Sequence, residues 1–157
     1  MESSYAVQLR RAALRVTAPR LAVLAVLRPG THPTVEEIAG AARERLGTLS
    51  TQAVYDVLRA LTEAGLVRHL EPAGHPGRYE VRVADNHHHL VCRACGTIVD
   101  VDCARGPAPC LEPSADAGYL VDEADVTYWG WCPRCRSAPG PDPGGAPVPT
   151  RATEDLR

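Results

Sequence analysis

The sequence predicts an α+β protein. An N-terminal winged helix, a helix-turn-helix with a β-hairpin wing, precedes a small strand-rich domain with a four-cysteine zinc site. Three observations carry this. The first 65 residues repeat apolar side chains at helical spacing, and two short alternating runs follow. All six cysteines lie between Cys92 and Cys135. Charge is divided the same way: residues 1–84 hold eleven Arg against eight Asp/Glu, and residues 85–157 hold six Arg against eleven. Such asymmetry suggests two modules with different partners.

The first helix is read in "TAPRLAVLAVLR", with Thr17 as N-cap and Pro19 in the first turn, where a missing N–H costs little. Leu21, Leu24, Ala25 and Leu27 supply its apolar face, and "RPGTHP" breaks it. In "TVEEIAGAARERLG", Thr34 and Glu37 stand at capping-box spacing, Ile38, Ala41, Ala42 and Leu46 form the stripe, and Gly47 stops the helix. The third helix, "STQAVYDVLRALTEAG", runs from a Ser50 cap to Gly65. Ala53, Val54, Val57, Leu58 and Leu61 face inward, while Thr51, Gln52, Tyr55, Asp56 and Arg59 point elsewhere. "LVRHL" and "GRYEVRV" alternate as strands around the turn "EPAGHPG". Three helices and a hairpin make the winged helix.

Downstream, "HHHLVC" and "GTIVDVD" read as strands flanking the turn "RACG", and "GYLVDEADVTYWGWC" holds one or two more. The Pro/Ala/Gly-rich stretch from Cys103 to Gly118 reads as loop with a short helix. From Ala138 the chain is rich in Pro and Gly and poor in apolar residues, the composition of a disordered tail. The expected boundaries are 1–82, 83–137 and 138–157. No apolar run approaches the ~18 residues of a membrane span, and "MESSYAVQLRR" lacks a signal peptide's apolar core, so a cytoplasmic protein is expected.

Cys92-x-x-Cys95 and Cys132-x-x-Cys135 are two knuckle pairs. Four thiolates satisfy tetrahedral zinc and leave no open position, so the site is structural rather than catalytic; the competing readings are a pair of dithiols in redox exchange and free buried thiols. The histidines pose a separate question. On a strand, His87 and His89 share a face and His88 points the other way. Asp100 or Asp102, on the next strand, can bring a carboxylate alongside. Such mixed ligands favour iron, manganese or zinc; the competing reading is a solvated polar strand. Cys103 and Cys110 match no zinc spacing, and read as small buried hydrophobes or as a reversible thiol pair.

The polar face of the third helix suits a DNA groove. Gln52 offers adenine recognition, Arg59 guanine recognition, and Thr51 and Tyr55 phosphate or thymine-methyl contacts. Arg10, Arg11, Arg15 and Arg20 precede it as phosphate-binding candidates, and the wing carries Arg68 and Arg78. Asp56 would repel phosphate, so its expected role is to orient a neighbouring Arg.

"HPTVEEI", "STQAVYDVLRALTEAGLV", "HHHLVCRACGTIVDVD" and "GWCPRC" resemble, in this order and spacing, the ferric uptake regulator family, over residues ~5–136. "DNHHHLVCRACG", "VDCARGPAPCL" and "DEADVTYWG" look most like its actinobacterial type, regulators encoded beside catalase-peroxidase. The resemblance implies a homodimeric, metal-dependent repressor of a palindromic double-stranded DNA operator, with an α/β dimerisation domain, no small-molecule substrate and no enzymatic activity. It assigns structural Zn2+ to Cys92, Cys95, Cys132 and Cys135, and regulatory Fe2+ or Mn2+ to His32, Glu80, His87, His89 and Asp100. Asp100 stands where iron sensors usually carry Glu, which points to peroxide sensing; the alternative is an iron- or zinc-uptake repressor. Ala124 and Asn86 stand where the family's third metal site has His, so that site is expected to be absent or weakened. The competing classes are a zinc hydrolase using the His/Asp cluster, which would leave the winged helix unexplained, and a pure interaction module, which salt-dependent binding to a palindromic operator would argue against.

Overall fold

A computed structural model of the chain describes residues 4–81, 87–102, 117–120 and 126–137. Four helices precede the wing: α1 (Ser4–Arg11), α2 (Ala18–Val26), α3 (Val35–Leu46) and α4 (Thr51–Glu63). The sequence reading holds three of them; α1 is additional. It buries only Ala6 and Leu9, too few apolar positions in eight residues to mark a period.

The helix starts follow local chemistry. Thr17 caps α2 by accepting from the Arg20 N–H, with Pro19 in the first turn. Thr34 and Glu37 form a reciprocal capping box on α3, at 3.3 Å and 2.7 Å. Ser50 accepts from the Ala53 N–H at 3.1 Å to start α4. The stripes Val23, Leu24 and Leu27, Val35, Ile38 and Ala39, and Val54, Leu58 and Leu61 meet in one apolar core, joined by Leu9 from α1. Ala25, Ala41, Leu46, Ala53 and Val57, read as inward-facing, are only half-buried, because three short helices pack along narrow seams.

The wing is β1 (Arg68–Leu70) paired antiparallel with β2 (Arg78–Glu80), with Arg68 opposite Glu80. Val67 and Tyr79 tie it to the helical core. The Tyr79 N–H donates to the Pro33 carbonyl at 3.0 Å, so β2 also runs beside the segment that leads into α3. That bond brings His32 next to Glu80.

The second sheet has strand order β4-β3-β5: β3 (His87–Cys92), β4 (Ile98–Asp102) and β5 (Thr127–Gly130). β3 pairs antiparallel with β4, with His89 opposite Asp100, and parallel with β5, with His89 opposite Thr127. The "PRCR" segment forms the single-turn helix α5 (Pro133–Arg136). Of the one or two strands expected after Gly118, β5 is the one found among the described residues. The expected boundary between residues 82 and 83, Asn86, Cys103, Cys110, Ala124 and the 138–157 tail lie outside the described residues.

Candidate metal centre and nucleic-acid interface

Strand alternation sets the first group. His87 and His89 project from β3 toward the wing, and both are buried. His88, on the opposite face, is buried as well, with its ring 6.3 Å from that of Tyr128. The solvated-strand reading is therefore overturned. Glu80 is 1% exposed, and its Oε2 lies 3.1 Å from His32 Nε2, 3.3 Å from His87 Nε2 and 3.3 Å from His89 Nε2. Asp100 Oδ1 lies 2.7 Å from His32 Nε2 and 3.9 Å from His89 Nε2. His87 Nε2 and His89 Nε2 stand 3.1 Å apart. Of the two candidate carboxylates, the structure brings Asp100 into this group; Asp102 is exposed.

One potential ligand atom each from His32, Glu80, His89 and Asp100 lies within 4.8 Å of the other three, a set drawn from both lobes. His87 falls outside that set and borders it, its Nε2 reaching Glu80 and His89. Two imidazoles and two carboxylates, with a third imidazole beside them, suit ferrous or manganous ion. Burial acts to raise the Glu80 pKa, but hydrogen bonds with His32 and His89, and the charges of His89 and His87, outweigh it and hold the carboxyl well below its ordinary range. It is therefore an acceptor ready for a cation.

Two arginines support the cluster from behind. Arg68 Nε lies 3.7 Å from Glu80 Oε1. Arg78 donates to the His32 carbonyl at 3.1 Å and lies 3.7 Å from Glu37 of the capping box. Their side chains are 18% exposed, so the wing cations read as part of the basic DNA face are turned inward instead. Sequence alternation alone could not reveal this, because both acids that attract them come from other segments.

The second group gathers Cys92, Cys95, Cys132 and Cys135, whose sulfurs lie within 4.8 Å of one another. Cys95 Sγ and Cys132 Sγ are 3.8 Å apart, close to the edge of a tetrahedron with ~2.3 Å Zn–S bonds. β3 delivers the first pair and the end of β5 the second, because the Arg93 N–H donates to the Gly130 carbonyl at 2.8 Å. Burial pushes the Cys92 thiol up, but N–H donors around it, that of Cys132 first, bring it down to about 6. Neighbouring Cys132 and Cys95 push Cys135 up to about 12. The four thiols fit a tetrahedral zinc ion and would fill its coordination.

On α4, Thr51, Gln52, Tyr55 and Arg59 share the exposed face. Asp56 sits between Gln52, which donates to it at 3.3 Å, and Arg59, at 3.6 Å. Thr51 accepts from Arg43 at 2.8 Å, and the Arg20 guanidinium donates to the Arg15 carbonyl at 2.8 Å. A shallow groove of about 460 Å³ separates this face from the wing residues His69 and Tyr79, whose rings stack at 4.5 Å.

A recognition helix beside a wing, joined to a sheet carrying one closed thiol group and one shared His/Glu/Asp group, defines a winged-helix transcription regulator with metal sites. Comparisons with known proteins agree. The sequence profile of the ferric uptake regulator family matches residues 11–123. The transcriptional regulator FurA of Mycobacterium tuberculosis is 60% identical over 131 residues, covering 83% of this chain and 89% of its own. The peroxide-responsive repressor PerR of Staphylococcus epidermidis is 30% identical over 142 residues, covering 87% and 90%. The crystal structure of the Vibrio cholerae ferric uptake regulator superposes with a TM-score of 0.61 at 25% identity, covering 81% of this chain and 98% of that one. The chain belongs to the ferric uptake regulator family. Members of this family are DNA-binding transcription regulators, not enzymes. Among the described residues no helix is long and apolar enough to cross a membrane.

Proposed function

We propose that this chain is a cytoplasmic, homodimeric repressor that binds a palindromic operator when a regulatory ion is held by His32, Glu80, His87, His89 and Asp100, and releases it on exposure to peroxide. Residues 1–82 read the DNA and residues 83–137 pair the protomers, while Cys92, Cys95, Cys132 and Cys135 hold zinc. One observation carries the reading: His32 and Glu80 come from the winged helix and His89 and Asp100 from the second sheet, yet their ligand atoms lie within 4.8 Å of one another, with His87 beside them at 3.3 Å from Glu80.

A ligand set complete in only one arrangement of two lobes couples ion binding to that arrangement. In a two-fold dimer, the arrangement sets the distance between recognition helices, and so whether both reach successive major grooves. Thr51, Gln52, Tyr55 and Arg59 then meet base edges, while Arg15 and Arg20 meet phosphates. The chemistry a ferrous ion would supply there is peroxide reduction at the cost of an imidazole ligand. Asp100 in place of Glu, and the similarity to a peroxide-responsive repressor, support that signal. The genes expected under control are a catalase-peroxidase type gene and the regulator's own.

The test is operator binding by the zinc-loaded protein, with ferrous or manganous ion, before and after peroxide. Peroxide should abolish binding by the ferrous form alone and add one oxygen to the peptide holding His32 or His87–His89. Ion-dependent binding that survives peroxide in both forms would replace this reading with an iron- or zinc-uptake repressor.

A further inference from the structure

The wing does more than deliver Glu80. Its turn, residues 71–77, rests against the second sheet. Pro72 is buried, and Glu71 and Pro72 face Val91, Ile98 and Trp129 across a cavity of about 170 Å³. Along β3, the His87–His89 end carries the metal cluster, and the Cys92 end leads into the knuckle turn. At that far end, His75 Nε2 lies 3.2 Å from the carbonyl oxygen of Arg93, between Cys92 and Cys95. The carbonyl accepts, so Nε2 carries the proton.

The same ring sits over Gly96. A Cβ there would stand 2.7 Å from His75 Nδ1 and 2.8 Å from Cγ, and Gly96 has φ +66°. Glycine is thus required twice, by the left-handed backbone and by the close approach of the wing. Both contacts of His75 fall on one turn, closed by the Gly96 N–H donating to the Cys92 carbonyl at 2.9 Å.

We infer that His75 is a positioning residue: it fastens the wing turn to the Cys92–Cys95 knuckle and so holds Glu80 within reach of His87, His89 and Asp100. The inference rests on reading the His/Glu/Asp cluster as the regulatory metal site. Pro76 and Gly77 join His75 to β2, which ends at Glu80, and extended chain spans only ~3.3 Å per residue, so fixing one restricts the other. The fastening favours the same arrangement of lobes that completes the cluster. Without it the ion must itself close the lobes, and its apparent affinity falls by the factor the fastening supplied. For one net hydrogen bond that factor is about fivefold.

The experiment uses full-length, zinc-loaded protein with His75→Ala, His75→Asn and His75→Gln. A Gln amide nitrogen reaches the place of Nε2, and an Asn amide does not. Manganese titration should show a loss of about fivefold in the Ala and Asn variants and recovery in the Gln variant, with zinc content unchanged. Backbone amides of residues 71–77 should exchange faster in the Ala variant. Wild-type manganese affinity in both Ala and Asn variants overturns the inference, as does zinc loss in the Gln variant. Should the wild-type protein take up no manganese, the regulatory reading itself fails. Hydrogen exchange of the wing turn then decides the fastening alone, and unchanged exchange in the Ala variant overturns it.

Discussion

His32→Ala removes the one cluster side chain that stands before α3, in the helical part of the winged helix. Its Nε2 is 2.7 Å from Asp100 Oδ1 and 3.1 Å from Glu80 Oε2. Bound through Nε2, His32 would be a direct ligand of the ion, sharing it with the two carboxylates it now touches. Loss of a partner one step further out already costs about 10–100-fold in metal affinity, and loss of a ligand sits at the upper end or beyond, so manganese affinity should fall by roughly 100-fold or more. Operator affinity at fixed, subsaturating manganese should fall with it, since the two equilibria are linked. Zinc content should not change, because the four cysteines lie at the other end of β3. Melting of the helical lobe should not change either, because His32 is outside the apolar core. Isothermal titration with manganese and a mobility shift on the same operator read both quantities. Wild-type manganese affinity in the variant would refute the clamp. Lost operator binding with intact manganese affinity would make His32 a DNA contact instead.

Zinc uptake by the metal-free protein at pH 7 should release fewer than four protons. Cys92, held at about 6, is already mainly thiolate there, whereas Cys135, raised to about 12, is protonated and must give up its proton. As pH falls through 6, Cys92 regains its proton and the count rises; calorimetry in buffers of different ionisation enthalpy measures it, and four protons at pH 7 would contradict the assignment. Leu58→Ala, at a side chain with no exposure in the middle of the helical core, should cost about 2–5 kcal/mol of stability by denaturant unfolding. A cost under about 1 kcal/mol would mean the three helices do not share the packed seam described.

Local chemistry was legible in advance. Thr17, Thr34 with Glu37, and Ser50 cap the helices at the expected positions, because a cap depends on residues two or three apart. The two Cys-x-x-Cys pairs announced their own chemistry, since four thiols at knuckle spacing leave few alternatives. His87 and His89 share a face by alternation alone. Other features needed more than neighbours in the chain. α1 carries no sequence signal, because two buried side chains make no period. Arg68 and Arg78 looked like wing cations until their partners, Glu80, Glu37 and the His32 carbonyl, were in place. His75 gave no signal, since a lone His in a Pro/Gly turn ordinarily meets solvent.

The amino-acid order by itself determined α2, α3 and α4, the hairpin, the two strands around the knuckle and the thiol site, all set by short-range sterics, capping and the burial of periodic apolar faces. Tertiary structure decided which carboxylate joins the histidines, because Asp100 and Asp102 share a face of β4 and only Asp100 lies under His32. It decided as well that β5 runs parallel to β3 and that the wing turn lies on the knuckle. Those outcomes depend on contacts between segments distant in the chain, whose geometry emerges only when the winged helix and the second sheet pack against each other.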